Sequence, residues 1–102
     1  MNIIARGTLW YYMKRYSLAA KQLELWHNDV RKLKWKKSTD VLVDYPKART
    51  IKNNRVIFPI LGNAYCLIVG VDYRFERVFI IFFGTHAEYD EINAETIDYK
   101  KP

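Results

Sequence analysis

Apolar positions recur at helical spacing in the first third of the chain. Between residues 9 and 16 they follow at intervals of three, one and three, which predicts a short helix with Thr8 as its N-cap. A longer amphipathic helix is predicted after a second candidate cap, Ser17. Its apolar face consists of Ala19, Leu23, Trp26, Val30 and Leu33. A short apolar run at 2–5 precedes both helices and is typical of an edge or buried strand.

The apolar period changes from about 3.6 to two after residue 54, which predicts strands. The predicted strands are Arg55 to Ile60, residues 64–73 and Arg77 to Gly84. We expect the last of these, the most apolar, at the centre of a sheet. Pro59 has no backbone N–H, so we expect its strand to lie at an edge or to contain a bulge.

Two segments complete the predicted order. Residues 36–54 look irregular and are interpreted as a functional loop that admits one turn of helix over 39–43. Thr85, with Glu88 three residues later, matches a capping box and predicts a short helix directly after the last strand. The resulting order, βααβββα, predicts one α+β domain over residues 1–102, with a mainly antiparallel sheet and two N-terminal helices on one face.

Composition excludes several classes of protein. Half of the 102 residues are hydrophobic, so the chain can bury one core and is not intrinsically disordered. Cys66 is the single cysteine, which excludes a disulfide scaffold and favours a reducing, cytoplasmic location. The longest apolar stretch, Val78 to Phe83, is far shorter than the roughly 20 residues of a membrane-spanning helix. The first residues do not resemble a signal peptide.

The net charge of +6 is concentrated in the first half, where residues 1–55 hold 13 Lys and Arg against four Asp and Glu. Its densest run includes Lys34, Lys36 and Lys37, which could neutralise phosphates of a nucleic acid, although a solvated helix end explains them equally well. Trp35, between them, could stack on a base, but core packing is favoured. Cations recur at Arg49, Lys52 and Arg55, where phosphate binding competes with ordinary surface charge.

No phosphate-binding loop, dinucleotide fingerprint or metal-spaced His/Cys cluster occurs, so we expect neither a cofactor nor a metal. His86 is the candidate for acid–base chemistry because it follows an apolar strand at the sheet margin. The alternative is a structural histidine at the start of the helix. His27 is interpreted as an inert, half-buried helix residue.

The motif Gly-Thr-His-Ala-Glu-Tyr-Asp-Glu-Ile at 84–92 resembles the C-terminal signature of the HigB family of toxin–antitoxin mRNA interferases. Similar segments occur at 3–9, 35–36, 53–58 and 62–65. The resemblance implies a RelE-like fold and an endoribonuclease that cuts mRNA on the translating ribosome. It also implies an antitoxin of the HigA type, with a helix-turn-helix domain, that inhibits the toxin. The pair would contact operator DNA only through this antitoxin.

The resemblance also implies roles for individual residues. His86 and Tyr89 match the family motif, and Arg55 matches a basic residue that opens a strand. RNA cleavage by 2′-OH attack needs proton transfer and nearby cations but no metal. We expect His86 to transfer a proton, Tyr89 to orient or stack on a nucleotide and Arg55 to stabilise phosphate charge. The basic side chains expected to hold mRNA or rRNA backbone are Lys34, Lys36, Lys37, Arg49 and Lys52.

Two positions depart from the family pattern. Pro59 stands where relatives typically have asparagine, and Cys66 stands where they typically have a strand arginine. A neutral thiol cannot replace a permanent cation. The chain could therefore be an attenuated toxin, a catalytically dead RNA- or antitoxin-binding module, or a non-enzymatic α+β interaction protein.

Overall fold

A computed structural model describes residues 1–99, which form helices packed against a five-stranded mixed sheet. The helices are α1 (Arg6–Arg15), α2 (Ala20–Val30), α3 (Ser38–Asp44) and α4 (His86–Asp90), with a 3-10 turn at Ser17–Ala19 between α1 and α2. The strands are β1 (Asn2–Ile4), β2 (Arg49–Ile51), β3 (Arg55–Ile60), β4 (Tyr65–Asp72) and β5 (Arg77–Thr85).

The sheet has the strand order β1-β5-β4-β3-β2, so the apolar strand β5 lies inside it, between β1 and β4. β2 to β5 form an antiparallel meander, and β1 adds to β5 in parallel as an edge strand. The predicted α+β class and the positions of β3, β4 and β5 are confirmed. The predicted order is incomplete, because it lacks α3 and β2.

Pro59 lies in a strand that is only partly covered. β2 pairs with β3 from Arg55 to Ile57 and ends there, so Pro59 faces a partner strand on the β4 side alone, opposite Cys66. β3 is therefore an edge strand, as predicted, only in its second half, which includes Pro59. A residue without an N–H is tolerated where no further ladder bond is required.

The first face of the sheet carries the main core. α2 buries Leu23, Trp26 and Val30 against it, as the helical spacing predicted. Trp35 is fully buried, and its indole Nε1 donates to Asp44 Oδ2 at 2.9 Å. Its favoured role in the core is confirmed, and its ring is not available to stack on a base.

Three local predictions are wrong. α1 begins at Arg6, so Thr8 lies inside the helix, and its hydroxyl contacts Tyr99 Oη at 2.9 Å instead of capping. Ser17 opens a 3-10 turn with no side-chain cap bond. The segment 36–54 is not an irregular loop, because it contains β2 and also α3, which confirms the turn of helix allowed over 39–43. α3 begins where the Asp40 carboxylate accepts the backbone N–H groups that precede it, those of residues 36 and 37.

The second face of the sheet has a smaller apolar cluster of Ile57, Cys66 and Ile68. It is covered by α4 and by residues 91–99, which we call the C-terminal segment. The covering apolar side chains are Tyr89, Ile92, Ala94 and Ile97. This face brings α4 next to β2 and β4, and the candidate residues that lie together there are His86, Tyr89, Arg49 and Cys66.

Candidate functional site

α4 is held rigidly at the end of β5. Thr85 Oγ1 accepts the backbone N–H of Glu88 at 3.2 Å, and Glu88 Oε1 accepts the backbone N–H of Thr85 at 3.0 Å, which confirms the predicted capping box. The Tyr16 hydroxyl of the segment after α1 also donates to the Glu88 carboxylate, at 2.9 Å. The backbone hydrogen bond from Thr85 and the Tyr16 bond hold the pKa of Glu88 below its usual value. The direction of α4, and of the side chains it carries, is thereby fixed.

His86 is the first residue of α4, and its side chain is exposed. Its backbone N–H donates to the carbonyl of Ala64 at 3.0 Å, which ties the helix start to the β3–β4 turn. Its ring Nδ1 lies 3.2 Å from Asp90 Oδ2, one helical turn later. In the tautomer with the proton on Nδ1, Asp90 accepts that proton's hydrogen bond and Nε2 keeps a lone pair for proton exchange. This arrangement leaves Nε2 available to exchange a proton.

Tyr89 lies beside His86, with 6.0 Å between the ring centroids. Its hydroxyl accepts a hydrogen bond from Arg49 Nη2 at 2.8 Å, and the guanidinium carbon lies 6.0 Å from the ring centroid. Arg49 belongs to β2 and stands opposite Ile57 on the second face. A shallow cleft of about 420 Å³ lies between them and the C-terminal segment. A cation and an aromatic ring therefore stand together at the mouth of a cleft near an exposed histidine.

Cys66 lies within the same cluster. It is buried, and its partners across the sheet are Pro59 and Gly84. Burial raises the pKa of the Cys66 thiol, against a lowering effect of the Arg49 charge and with a further raising effect of Asp90. The thiol is therefore neutral at physiological pH, and the charges of Arg49 and Asp90 both act on it. Cys66, where the resemblance implies an arginine, thus lies close to both the β2 cation and α4.

Arg55 binds the C-terminal segment and does not contact Tyr89 as Arg49 does. Its Nη1 donates to the backbone carbonyls of Ala94 at 2.9 Å and Ile97 at 2.6 Å. Asn53 adds a bond from its amide to the carbonyl of Glu95 at 2.9 Å. The β2–β3 hairpin thereby fastens the C-terminal segment, and the structure does not bring Arg55 into contact with His86 or Tyr89.

The cations predicted to bind RNA do not form one surface, and most of them lie away from α4. Lys36 Nζ contacts Glu76 Oε1 at 2.5 Å, immediately before β5, whereas His86 follows the end of β5. The 9 residues of β5 make eight steps of about 3.3 Å, which put the ends of the strand about 26 Å apart. Lys34 and Lys37 are exposed in the same stretch as Lys36, and Lys52 is exposed in the turn between β2 and β3. Arg49 alone of this set touches the α4 site.

A family model described as HigB_toxin, a RelE-like toxic component of a toxin-antitoxin system, matches residues 19–92. The chain belongs to the HigB toxin family. The match runs from the start of α2 past the end of α4 and leaves out β1, α1 and most of the C-terminal segment. The similarity noted at residues 3–9 lies outside it. No curated protein matches the chain. Membership assigns a toxin role, an antitoxin partner and a RelE-like fold to this HigB protein.

Two features of this HigB site were not predicted from its sequence. Asp90, the partner of His86, lies four residues further along α4, a spacing at which helical side chains meet and which could have revealed it. The bond from Tyr16 to Glu88 joins residues 72 apart and has no local signal.

Three observations concern the rest of the described part of the chain: His27, metal binding and membrane-spanning helices. His27 is buried rather than half-buried, and its ring lies 5.0 Å from that of Trp10. Within residues 1–99, no group of three His, Cys, Asp or Glu side chains is arranged to hold a metal, and the helices are too short or too polar to cross a membrane.

Proposed function

We propose that this HigB protein is an endoribonuclease that cleaves mRNA on translating ribosomes, and hence acts in the cytoplasm. The observation that carries the proposal is the contact of Tyr89 with Arg49 at the cleft, next to His86, whose ring is paired with Asp90. Family membership supports the toxin role. The site supplies a proton-transfer group, an aromatic ring and a cation, which cleavage of a phosphodiester requires.

The proposed reaction needs no metal. The 2′-OH of one nucleotide attacks the adjacent phosphorus, the bond to the 5′-oxygen of the next nucleotide breaks, and the products carry a 2′,3′-cyclic phosphate and a 5′-OH. His86 Nε2 exchanges a proton with the reacting oxygens, and the Asp90 carboxylate stabilises the imidazolium that forms. Because Nδ1 is engaged by Asp90, the ring presents Nε2 in a defined orientation.

The remaining residues bind the RNA. Tyr89 stacks on or orients a nucleotide, and the Arg49 guanidinium next to its hydroxyl stabilises charge on the phosphate. Arg55 reaches a phosphate only after the carbonyls of Ala94 and Ile97 release its guanidinium. The exposed cations away from the cleft hold mRNA or rRNA backbone: Lys34, Lys36, Lys37 and Lys52.

The antitoxin in this proposal is a HigA-type protein with a helix-turn-helix domain, and operator DNA is contacted only through it. The family supports an antitoxin partner, and the HigA type is part of the proposal.

A specific observation favours a second candidate, a weakened or inactive member of the family. Cys66 offers a buried, neutral thiol at the place between Arg49 and α4 where relatives have a cation. Without that charge, transition-state stabilisation is reduced, and the chain could retain binding of RNA or antitoxin with little cleavage.

Controlled expression in a bacterial host tests the proposal. The chain is expected to arrest growth and to produce new mRNA 5′ ends, and His86→Ala is expected to abolish both. Glu24→Ala, an exposed change on α2, serves as the matched control and should behave as the parent does. Equal mRNA cleavage by His86→Ala would remove His86 from the mechanism. Absence of cleavage by the parent chain would favour the inactive module.

A further inference from the structure

A larger cleft lies on the first face of the sheet, across the sheet from the cleft beside Tyr89. It has a volume of about 770 Å³ and lies between α2, the stretch after α3 and the end of β3. Its lining is mainly apolar, and three aromatic side chains contribute to it: Trp26, Tyr45 and Phe58. None of the proposed catalytic residues lines this cleft, so it is free for a separate function.

The aromatic side chains form one cluster. The rings of Trp26 and Tyr45 both meet Phe58 edge-on, with centroid separations of 5.5 and 5.2 Å. Aromatic rings grouped in this way attract cations that are placed over their faces, and the attraction grows when water is excluded. Trp26 and Phe58 are 3 % and 2 % exposed, so the ring of this cluster that a cation can approach is the partly exposed Tyr45.

Two carboxylates lie among the lining residues. Asp29, on α2, is exposed and makes no side-chain hydrogen bond or ion pair among residues 1–99, and Asp44 accepts the Trp35 indole N–H. Burial, followed by the negative charges of Asp29 and Asp44, raises the pKa of Tyr45 to about 12. These carboxylates outnumber Lys47, the one cation that the described residues contribute to the lining, and give the cleft a net negative charge within the half of the chain that is otherwise strongly basic.

The cleft also contains a buried hydrogen-bond donor without an acceptor among residues 1–99 and two exposed apolar side chains. Trp26 is 3 % exposed, and its indole Nε1 has no acceptor within the described part of the chain. This nitrogen has almost no accessible surface, so an occupant of the cleft does not reach it. Leu25 and Leu61, which also line the cleft, are 44 % and 40 % exposed. The occupant must therefore offer apolar side chains and a cation, which a peptide segment combines.

We propose that this cleft is the docking site of the antitoxin, and that it receives a lysine or arginine of the antitoxin flanked by apolar side chains. The cation sits between Asp29 and Asp44 above the aromatic cluster, and the apolar neighbours cover Leu25 and Leu61. The inference rests on the antitoxin partner of the HigB family and does not depend on the proposed nuclease mechanism.

The affinity of the purified chain for the antitoxin encoded beside it tests this inference. Asp29→Lys places a positive charge where the antitoxin's cation binds, so we expect Kd to rise at least about tenfold. Glu24→Lys is the matched control, because it makes the same charge change on the same helix but outside the cleft. We expect its Kd to stay within about twofold of the parent.

A second variant and a salt series separate docking from loss of fold. Leu25→Ala removes exposed apolar surface without altering charge and should raise Kd roughly threefold or more. The Kd of the parent should rise with salt concentration more steeply than that of Asp29→Asn. Parent-like affinity of Asp29→Lys and Leu25→Ala would overturn the inference, and so would failure of the parent to bind the antitoxin. A chain without nuclease activity would still show the predicted differences in Kd, so the two proposals fail separately.

Discussion

Replacing Arg49 by glutamine separates the chemical role of the β2 cation from any structural role. Arg49 is exposed, and its Nη2 donates to the Tyr89 hydroxyl at 2.8 Å. Glutamine keeps a donor on a side chain of intermediate length but removes the permanent charge. In the proposed mechanism that charge stabilises the phosphate during attack of the 2′-OH.

The magnitudes expected for stability and for activity differ widely. An exposed hydrogen bond of this kind contributes about 1 kcal/mol or less to folding, so the melting temperature should fall by only a few degrees, roughly 4–8 °C at most. Loss of a cation aimed at a developing oxyanion typically lowers the rate by roughly 10²- to 10³-fold. Arg49→Gln should therefore remain folded and lose nearly all cleavage.

The assay is cleavage of a defined mRNA in a translation extract, with the rate measured over a range of toxin concentrations. Arg74→Gln is the matched control, since Arg74 is an exposed arginine over the Phe75 ring at 5.2 Å, next to the far end of β5. Arg74→Gln should cleave within about threefold of the parent. A rate for Arg49→Gln equal to that of Arg74→Gln would refute the assignment of the phosphate-stabilising cation to β2.

Further predictions concern three other positions. Cys66→Arg should raise cleavage and toxicity by roughly 10²- to 10³-fold, whereas Cys66→Ser should not, and an unchanged rate would show that this residue does not attenuate the chain. Hydrogen bonds hold the pKa of Glu88 below 4.5, so its stabilisation is present above that pH and is lost as the pH falls through the lowered pKa. Glu88→Gln should therefore flatten the fall in melting temperature between about pH 5 and pH 3, and parallel curves would contradict this. Leu23→Ala empties a fully buried core position and should cost about 2–5 kcal/mol in the free energy of unfolding; denaturant titration that finds less than about 1 kcal/mol would contradict this packing.

The elements with a clear apolar period could be predicted from the sequence, because burial of one face imposes that period. α2, β3, β4 and β5 were found in this way, as was the capping box that starts α4. β2 is a strand of three residues, too short to show an alternation, and it exists because it pairs with β3. The predicted start of α1 at Thr8 is two residues too late, because the chain turns directly from β1 into the helix at Arg6.

The candidate site could be predicted only in part. The motif at 84–92 located His86 and Tyr89, but their partners follow from tertiary packing. Arg49 reaches Tyr89 across 40 residues, and Arg55 reaches the carbonyl of Ile97 across 42. Nothing in the local sequence distinguishes these two arginines. The strand pairing decides which of them stands beside α4 and which fastens the C-terminal segment.

The most direct test of the central claim is mRNA cleavage by the purified chain in a translation extract, with and without ribosomes and in the presence of a metal chelator. We expect cleavage on ribosomes that resists the chelator, yields 2′,3′-cyclic phosphate ends and is lost in His86→Ala. Cleavage that persists in His86→Ala, or that the chelator abolishes, would contradict it.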